Sequence, residues 1–417
     1  MLPQPSRAAR FVRRVRRPLD RFLHLEAASG ILLLAAAAVA LLWANSPLAP
    51  HYHTLWQTSL GVGVGGVDAT RPLSWWVNDV LMVLFFFVVG LEIRREVAFG
   101  ELATWRRAAL PAAAALGGML APAAMYVALA DAPEARAGWG VPMATDIAFA
   151  VGVLTLLGRR APPALRVLLL ALAVIDDLGA ILVIALFYST GIAPLGLAVA
   201  GAGLGAIVLM QRLGVGATLA YVAPAVVVWG GIYSAGVHPT IAGVLVGLLT
   251  PVRAPDGTEP PTQRLIHALH PWVAFGIMPV FALANAGVHI DGGLGDGPAA
   301  VVTLAVMVGL VLGKPAGVLA ACALVLRLRL ATLPIGLTWA HLAVLGVVAG
   351  IGFTMSLFVA QLAFADATLL TAAKLGVLVA SGVAALTGLA LGFALLRDTP
   401  LRGAATTADE AERSTQR

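Results

Sequence analysis

The chain has 417 residues, of which 60% are hydrophobic and only 12% charged, with a mean hydropathy of +0.92. Soluble domains carry about 25% charged residues, so this composition excludes an ordinary water-exposed fold and implies a polytopic helical membrane protein. The formal charge of +6 comes largely from an arginine-rich N-terminal arm, and the single Cys322 excludes a disulfide framework or a thiolate zinc site.

That arm, residues 1–26, holds Arg7 through Arg21 and runs directly into an apolar segment. It reads as a cytoplasmic juxtamembrane anchor rather than a nucleic-acid surface. The apolar segment is of spanning length and lacks a small-residue cleavage site, so it reads as a retained span, not a signal peptide. Apolar runs bounded by Gly, Pro and charges predict about twelve spans: 27–44, 74–92, 108–130, 138–158, 164–188, 192–210, 216–234, 236–250, 268–288, 299–326, 335–362 and 369–396. With the N-terminus inside, Arg94, Arg95, Arg106, Arg107, Arg159, Arg160, Arg166, Arg212, Arg253, Arg264, Arg327, Arg329 and Arg397 all fall on the cytoplasmic side. The opposite side keeps Arg71, Arg136 and Lys374. This positive-inside asymmetry predicts an even number of spans with both termini cytoplasmic.

The longest outer loop, 45–72, alternates β-formers and glycines from Thr54 to Val67 and predicts a β-hairpin on the outer surface. The domain plan is therefore the arm, a transmembrane unit over 27–396, and a polar tail at 397–417 that predicts disorder. Two spans are interrupted. The fourth carries Gly138, Gly140 and Pro142 ahead of Thr145 and Asp146, and the eleventh carries Gly346, Gly350 and Gly352 ahead of Phe353 and Thr354. Matching breaks in two halves point to a midplane binding site, although glycine also serves simple close packing of helices.

The ionisable residues inside the spans are Asp79, Glu92, Asp146, Asp176, Asp177, His238 and Lys314. Each ionised group at mid-membrane costs roughly 2.5–3.5 kcal/mol on the lenient insertion scale. Asp176 and Asp177 are adjacent in an otherwise apolar run, so the site is wet, paired or occupied by a cation. Successive helix positions lie about 100° apart, so the two cannot present identically to one ligand. Lys314 is the one lysine well inside a span, and an Asp–Lys pair is the economical way to bury both charges. Carboxylates with hydroxyl and carbonyl oxygens suit a hard cation such as Na⁺ or Li⁺. If the same carboxylates take up either protons or a cation, competition supplies exchange.

Three motifs are set aside. Gly61–Gly66 matches a dinucleotide pattern but lacks the βαβ context. Gly293-Leu-Gly-Asp296 imitates an intramembrane aspartyl protease motif but lies in a polar loop. His267 and His270 stand at the cytoplasmic start of the ninth span, three residues apart on one face, where solvated or capping roles are the default and pH-responsive titration is the functional alternative.

In these residues the chain resembles the NhaA-type sodium/proton antiporter family. The resemblance rests on Trp76–Asp79, Gly90–Glu96, Ala144–Ala150, Ile175–Ile181, Gly236–His238, His270–Val273, Phe281–Gly287, Gly313–Pro315 and Gly350–Ser356, in order along nearly the whole chain. It implies inverted repeats with two broken, crossing helices, here the fourth and eleventh. It implies that Asp177 and Asp176 form the cation and proton site, that Lys314 pairs with Asp176, and that Thr145, Asp146 and Thr354 lie at the crossing. It further implies electrogenic Na⁺(Li⁺)/H⁺ exchange at a bacterial inner membrane, no bound cofactor, a homodimer joined through the outer hairpin, and a pH response involving Glu92, His238 and His267. One departure stands out: relatives with strong pH regulation carry an acidic residue before the matching histidine, whereas this chain has Ile266 before His267. The competing readings are an intramembrane aspartyl protease using Asp146 and Asp176, and a cation channel or structural bundle.

Overall fold

The computed structural model describes residues 28–396, except 65–66, 190, 192, 254–258 and 291–296. The arm, the tail and the Gly293–Asp296 motif lie outside the described residues. The first helices are α1 (Ala28–Ala44), α2 (Ala49–Gln57), α3 (Leu73–Phe99) and α4 (Trp105–Leu129). The next are α5 (Pro133–Met143), α6 (Ile147–Leu156), α7 (Pro163–Phe187), α8 (Pro194–Arg212), α9 (Thr218–Ser234) and α10 (Thr240–Leu249). The last five are α11 (Pro261–Asn285), α12 (Pro298–Arg327), α13 (Trp339–Ala349), α14 (Phe353–Ala363) and α15 (Ala367–Leu395). Seven of these are long and apolar enough to cross a bilayer alone, and as many as ten spans result if each of three bent pairs counts as one. The chain is therefore a mostly helical, multi-pass membrane protein. α9 and α10 are apolar but shorter.

The bends fall at α1–α2 (114°), α5–α6 (49°) and α13–α14 (44°). The last two coincide with the glycine and proline interruptions. Pro142 closes a 3₁₀ stretch over Ala137–Met143, and residues 144–146 leave helical geometry before α6 starts. The first bend was not expected: residues 49–57 read as loop, yet Pro50 sits in the first turn of α2, and Tyr52 and Trp56 bury that helix against the bundle. The hairpin follows, with β1 (Ser59–Val64) antiparallel to β2 (Val67–Pro72) and Ser59 opposite Pro72. Arg71 ties it down. Its guanidinium donates to Tyr233 Oη at 3.0 Å and lies 5.8 Å above the Trp75 ring.

Span ends differ from expectation where a helix outlasts its apolar stretch. α3 runs on to Phe99 rather than stopping near 92, and α11 begins at Pro261 rather than 268. Hydropathy marks the exit from hydrocarbon, whereas the backbone keeps its hydrogen bonds into the headgroup layer.

Among the described residues three spans contain a π turn: Trp76–Leu81 in α3, Val273–Ile277 in α11 and Gly309–Gly313 in α12. The extra residue in each turn rotates everything after it relative to a continuous α-helix. Lys314 is the first residue beyond the third. α12 also approaches α4 backbone to backbone, since a Cβ on Gly317 would collide with the Gly117 carbonyl and lie 2.7 Å from Ala121 Cβ. That approach lays the Lys314 stem along Gly118, where a Cβ would be 3.7 Å from Lys314 Cε. Small residues set the distance. Gly317→Val is expected to lower the melting temperature of the solubilised protein sharply, because overpacking of this kind costs about 1–3 kcal/mol. An unchanged melting curve would show that α4 and α12 can separate freely.

Candidate functional site

The two breaks meet. The Asp146 backbone N–H donates to the Ile351 carbonyl at 2.7 Å, which joins the α5–α6 break to the α13–α14 break. Asp146 then serves both half-helices that start there. Its Oδ1 accepts from Phe149 N at 2.9 Å, capping α6, while Oδ2 accepts from Thr354 N at 3.1 Å and Thr354 Oγ1 at 2.5 Å in the first turn of α14. One buried carboxylate thus sits at two helix N-termini, where the macrodipoles favour negative charge.

The opposite polarity meets Lys314. Its ammonium, fully buried, donates to Asp176 Oδ2 at 2.6 Å and to the Met143 carbonyl at the end of α5. A cation at a helix C-terminus is the favourable arrangement. Thr145 Oγ1 lies 2.6 Å from the same Asp176 oxygen and 2.9 Å from the Ala349 carbonyl. Its single proton serves one of the two at a time. Asp176 therefore has one oxygen crowded by donors, while its Oδ1 has no protein partner.

Asp177 faces elsewhere. It is buried, its Oδ1 has no protein partner, and it lines a cavity of about 70 Å³ together with Asp146, Thr354, Glu92 and His270. A water needs about 10–15 Å³ of such space, so the cavity admits several water-sized groups. Its remaining wall is apolar, with Phe85, Val88 and Val89 from α3 and Val273, Ala274 and Met278 from α11. An ion entering there would meet the carboxylates of Asp177, Asp146 and Glu92, the Thr354 hydroxyl and the His270 ring, within an otherwise apolar wall.

Glu92, His238 and His267 are not brought together. Glu92 stands in the cavity 3.5 Å from His270 Nδ1. His238 pairs instead with Asp79 at 3.5 Å, toward the hairpin end of α3. His267 is 63% exposed, and its Nδ1 lies 2.9 Å from Glu259 Oε1. Two expectations change. His270 does not share the environment of His267 but turns inward to line the cavity, since three residues on a helix leave about 60° between side chains. The acid beside His267 is Glu259, from the stretch that precedes α11. Ile266 itself is buried in apolar packing, where a carboxylate would have faced the core rather than the histidine.

A family model described as "Na+/H+ antiporter 1" matches residues 20–391. The chain belongs to that family. Among curated relatives of this Na⁺/H⁺ antiporter 1 family member is "Na(+)/H(+) antiporter NhaA 2" of Myxococcus xanthus, 60% identical over 96% of this chain and 94% of the relative. The Sorangium cellulosum protein of the same name is 52% identical over 98% and 96% of the two chains. "Na(+)/H(+) antiporter NhaA" of an Acidovorax species is 57% identical over 91% and 92%. The relatives are named as transporters, not enzymes, and so is the family.

Proposed function

We propose that this chain exchanges cytoplasmic Na⁺ or Li⁺ for external protons, and that Asp177 and Asp176 bind either cation or proton. The observation that carries the reading is Asp177: a buried carboxylate with an unpartnered oxygen, lining a cavity that Glu92 also lines. Ionised, it attracts the cation; protonated, it releases it. Thr354 and Asp146 line the same cavity and supply neutral and charged oxygens, while Lys314 and Thr145 hold Asp176. Two carboxylates taking up protons against one monovalent cation make the exchange electrogenic. No cofactor is involved.

Ten spans and the two shorter helices α9 and α10 make twelve, with the broken pairs as the fourth and eleventh and the two halves related as inverted repeats. Arginine placement supports cytoplasmic termini, and hence a bacterial inner-membrane protein whose Glu92 and His270 face the cytoplasm. The exposed hairpin supports a homodimer joined through that element. Glu92, His238 and His267 are the candidate pH-responsive groups, with Glu259 beside His267.

A protease would need Asp146 and Asp176 to share a catalytic water, yet Asp146 is engaged by Phe149 and Thr354 and Asp176 by Lys314. Everted vesicles holding an established ΔpH test the proposal. Adding Na⁺ or Li⁺ should dissipate it, and K⁺ should have little effect. A proton leak independent of cation, or no response between about pH 6 and 9, overturns the reading.

A further inference from the structure

Of the elements that line the cavity, three (α3, α11 and α14) also close on one another beyond it in two layers. The first layer is aromatic. Phe86 of α3, Phe281 of α11 and Phe358 of α14 are fully buried, with the Phe358 ring centre 5.4 Å from that of Phe86 and 6.2 Å from that of Phe281. The His238 ring packs edge-on against Phe358 at 5.3 Å. The second layer is made of amides. Gln361 Nε2 donates to Asn285 Oδ1, and Asn285 Nδ2 donates to Asn78 Oδ1 at 2.8 Å and to the Phe281 carbonyl at 3.0 Å. Asn285 follows Phe281 by one turn, and Gln361 lies nearly one turn beyond Phe358. On α3, Asn78 is four turns from Glu92, about 20 Å along the axis.

We propose that Gln361, Asn285 and Asn78 are the latch holding the hairpin side of the transport path shut while the Glu92 side is open. The inference rests on the exchange reading, which needs a path that opens to each side in turn. A chain of amides suits this better than aromatic packing alone. Its hydrogen bonds form only when all three helices are in register, so loss of register costs buried Asn285 and its half-buried neighbours their partners. Once water enters, the same amides are satisfied by solvent and present oxygens to a passing cation. α14 couples the layers to the site: Thr354, which bonds Asp146, and Gln361 lie two turns apart on one face of a helix. A cation that pulls on Thr354 therefore moves Gln361 with it.

Impermeant thiol labelling tests this. In a Cys322→Ser background, Ala282→Cys reports from beside the aromatic layer and Ala274→Cys from the cavity wall. Gln361→Ala and the shape-preserving Gln361→Met should speed labelling of Ala282→Cys from the hairpin side about three- to tenfold, the population shift one neutral hydrogen bond supplies. Labelling of Ala274→Cys from the opposite side should slow in the same variants. Unchanged labelling at the first position overturns the latch. So does faster labelling there without slowing at the second, which would mean local loosening instead of a shift between two states. If Gln361→Ala does not fold, the methionine variant decides. Labelling needs no transport, so a wild type that fails to exchange ions refutes the function without deciding the latch.

Discussion

Asp177→Asn is expected to abolish cation-dependent exchange while the protein still inserts, folds and melts within a few degrees of wild type. Asparagine keeps the shape and an acceptor oxygen but removes the charge and the titratable proton together. Both half-reactions fail at once: a cation loses its counter-charge, and no proton can be carried back. Removing one partner of a buried charge interaction costs about 3–5 kcal/mol, equivalent to a loss of two orders of magnitude or more in cation affinity. Stability responds differently, because Asp177 Oδ1 has no protein partner to lose and its neighbours in the cavity are mainly apolar. ΔpH dissipation by Na⁺ and Li⁺ in vesicles, set beside a melting curve of the purified variant, separates the two effects. Robust exchange by Asp177→Asn would move the site to other residues, with Asp146 and Glu92 the remaining carboxylates of the cavity.

Charge in an apolar run is a strong signal because its penalty is large and local, so Asp176, Asp177, Asp146 and Lys314 stand out in the sequence alone. The helix breaks were legible for the same reason: Gly and Pro at 138–142 and 350–352 act on the backbone where they stand. What the sequence could not reveal is carried by groups without side-chain identity. The Met143, Ala349 and Ile351 carbonyls hold Lys314, Thr145 and Asp146, and no residue code records them. The π turns are equally silent, yet one of them sets the phase of Lys314. Ile266 shows how a sequence neighbour misleads. It precedes His267 but points into the core, while Glu259, more distant in sequence, reaches the ring. The linkage of Asn78, Asn285 and Gln361 is not legible in the sequence, because neutral amides carry little hydropathy signal and only folding brings their three helices together.

Lys314→Ala is expected to destabilise the protein strongly, and Asp176→Asn is expected to restore part of the loss. The ammonium and Asp176 are both fully buried at 2.6 Å, so deleting the lysine leaves a carboxylate with Thr145 as its one remaining side-chain donor. Breaking a buried pair in this way costs about 3–5 kcal/mol, whereas replacing both members leaves no orphaned charge. The double variant Asp176→Asn/Lys314→Ala should therefore melt above the single Lys314→Ala variant despite carrying one more substitution. The Met143 carbonyl loses its donor in both, so recovery is partial. Melting curves of the wild type, both single variants and the double variant measure the coupling directly. If the Lys314→Ala and double variants melt alike, the ion pair does not contribute to the fold, and the burial of Lys314 needs another cause.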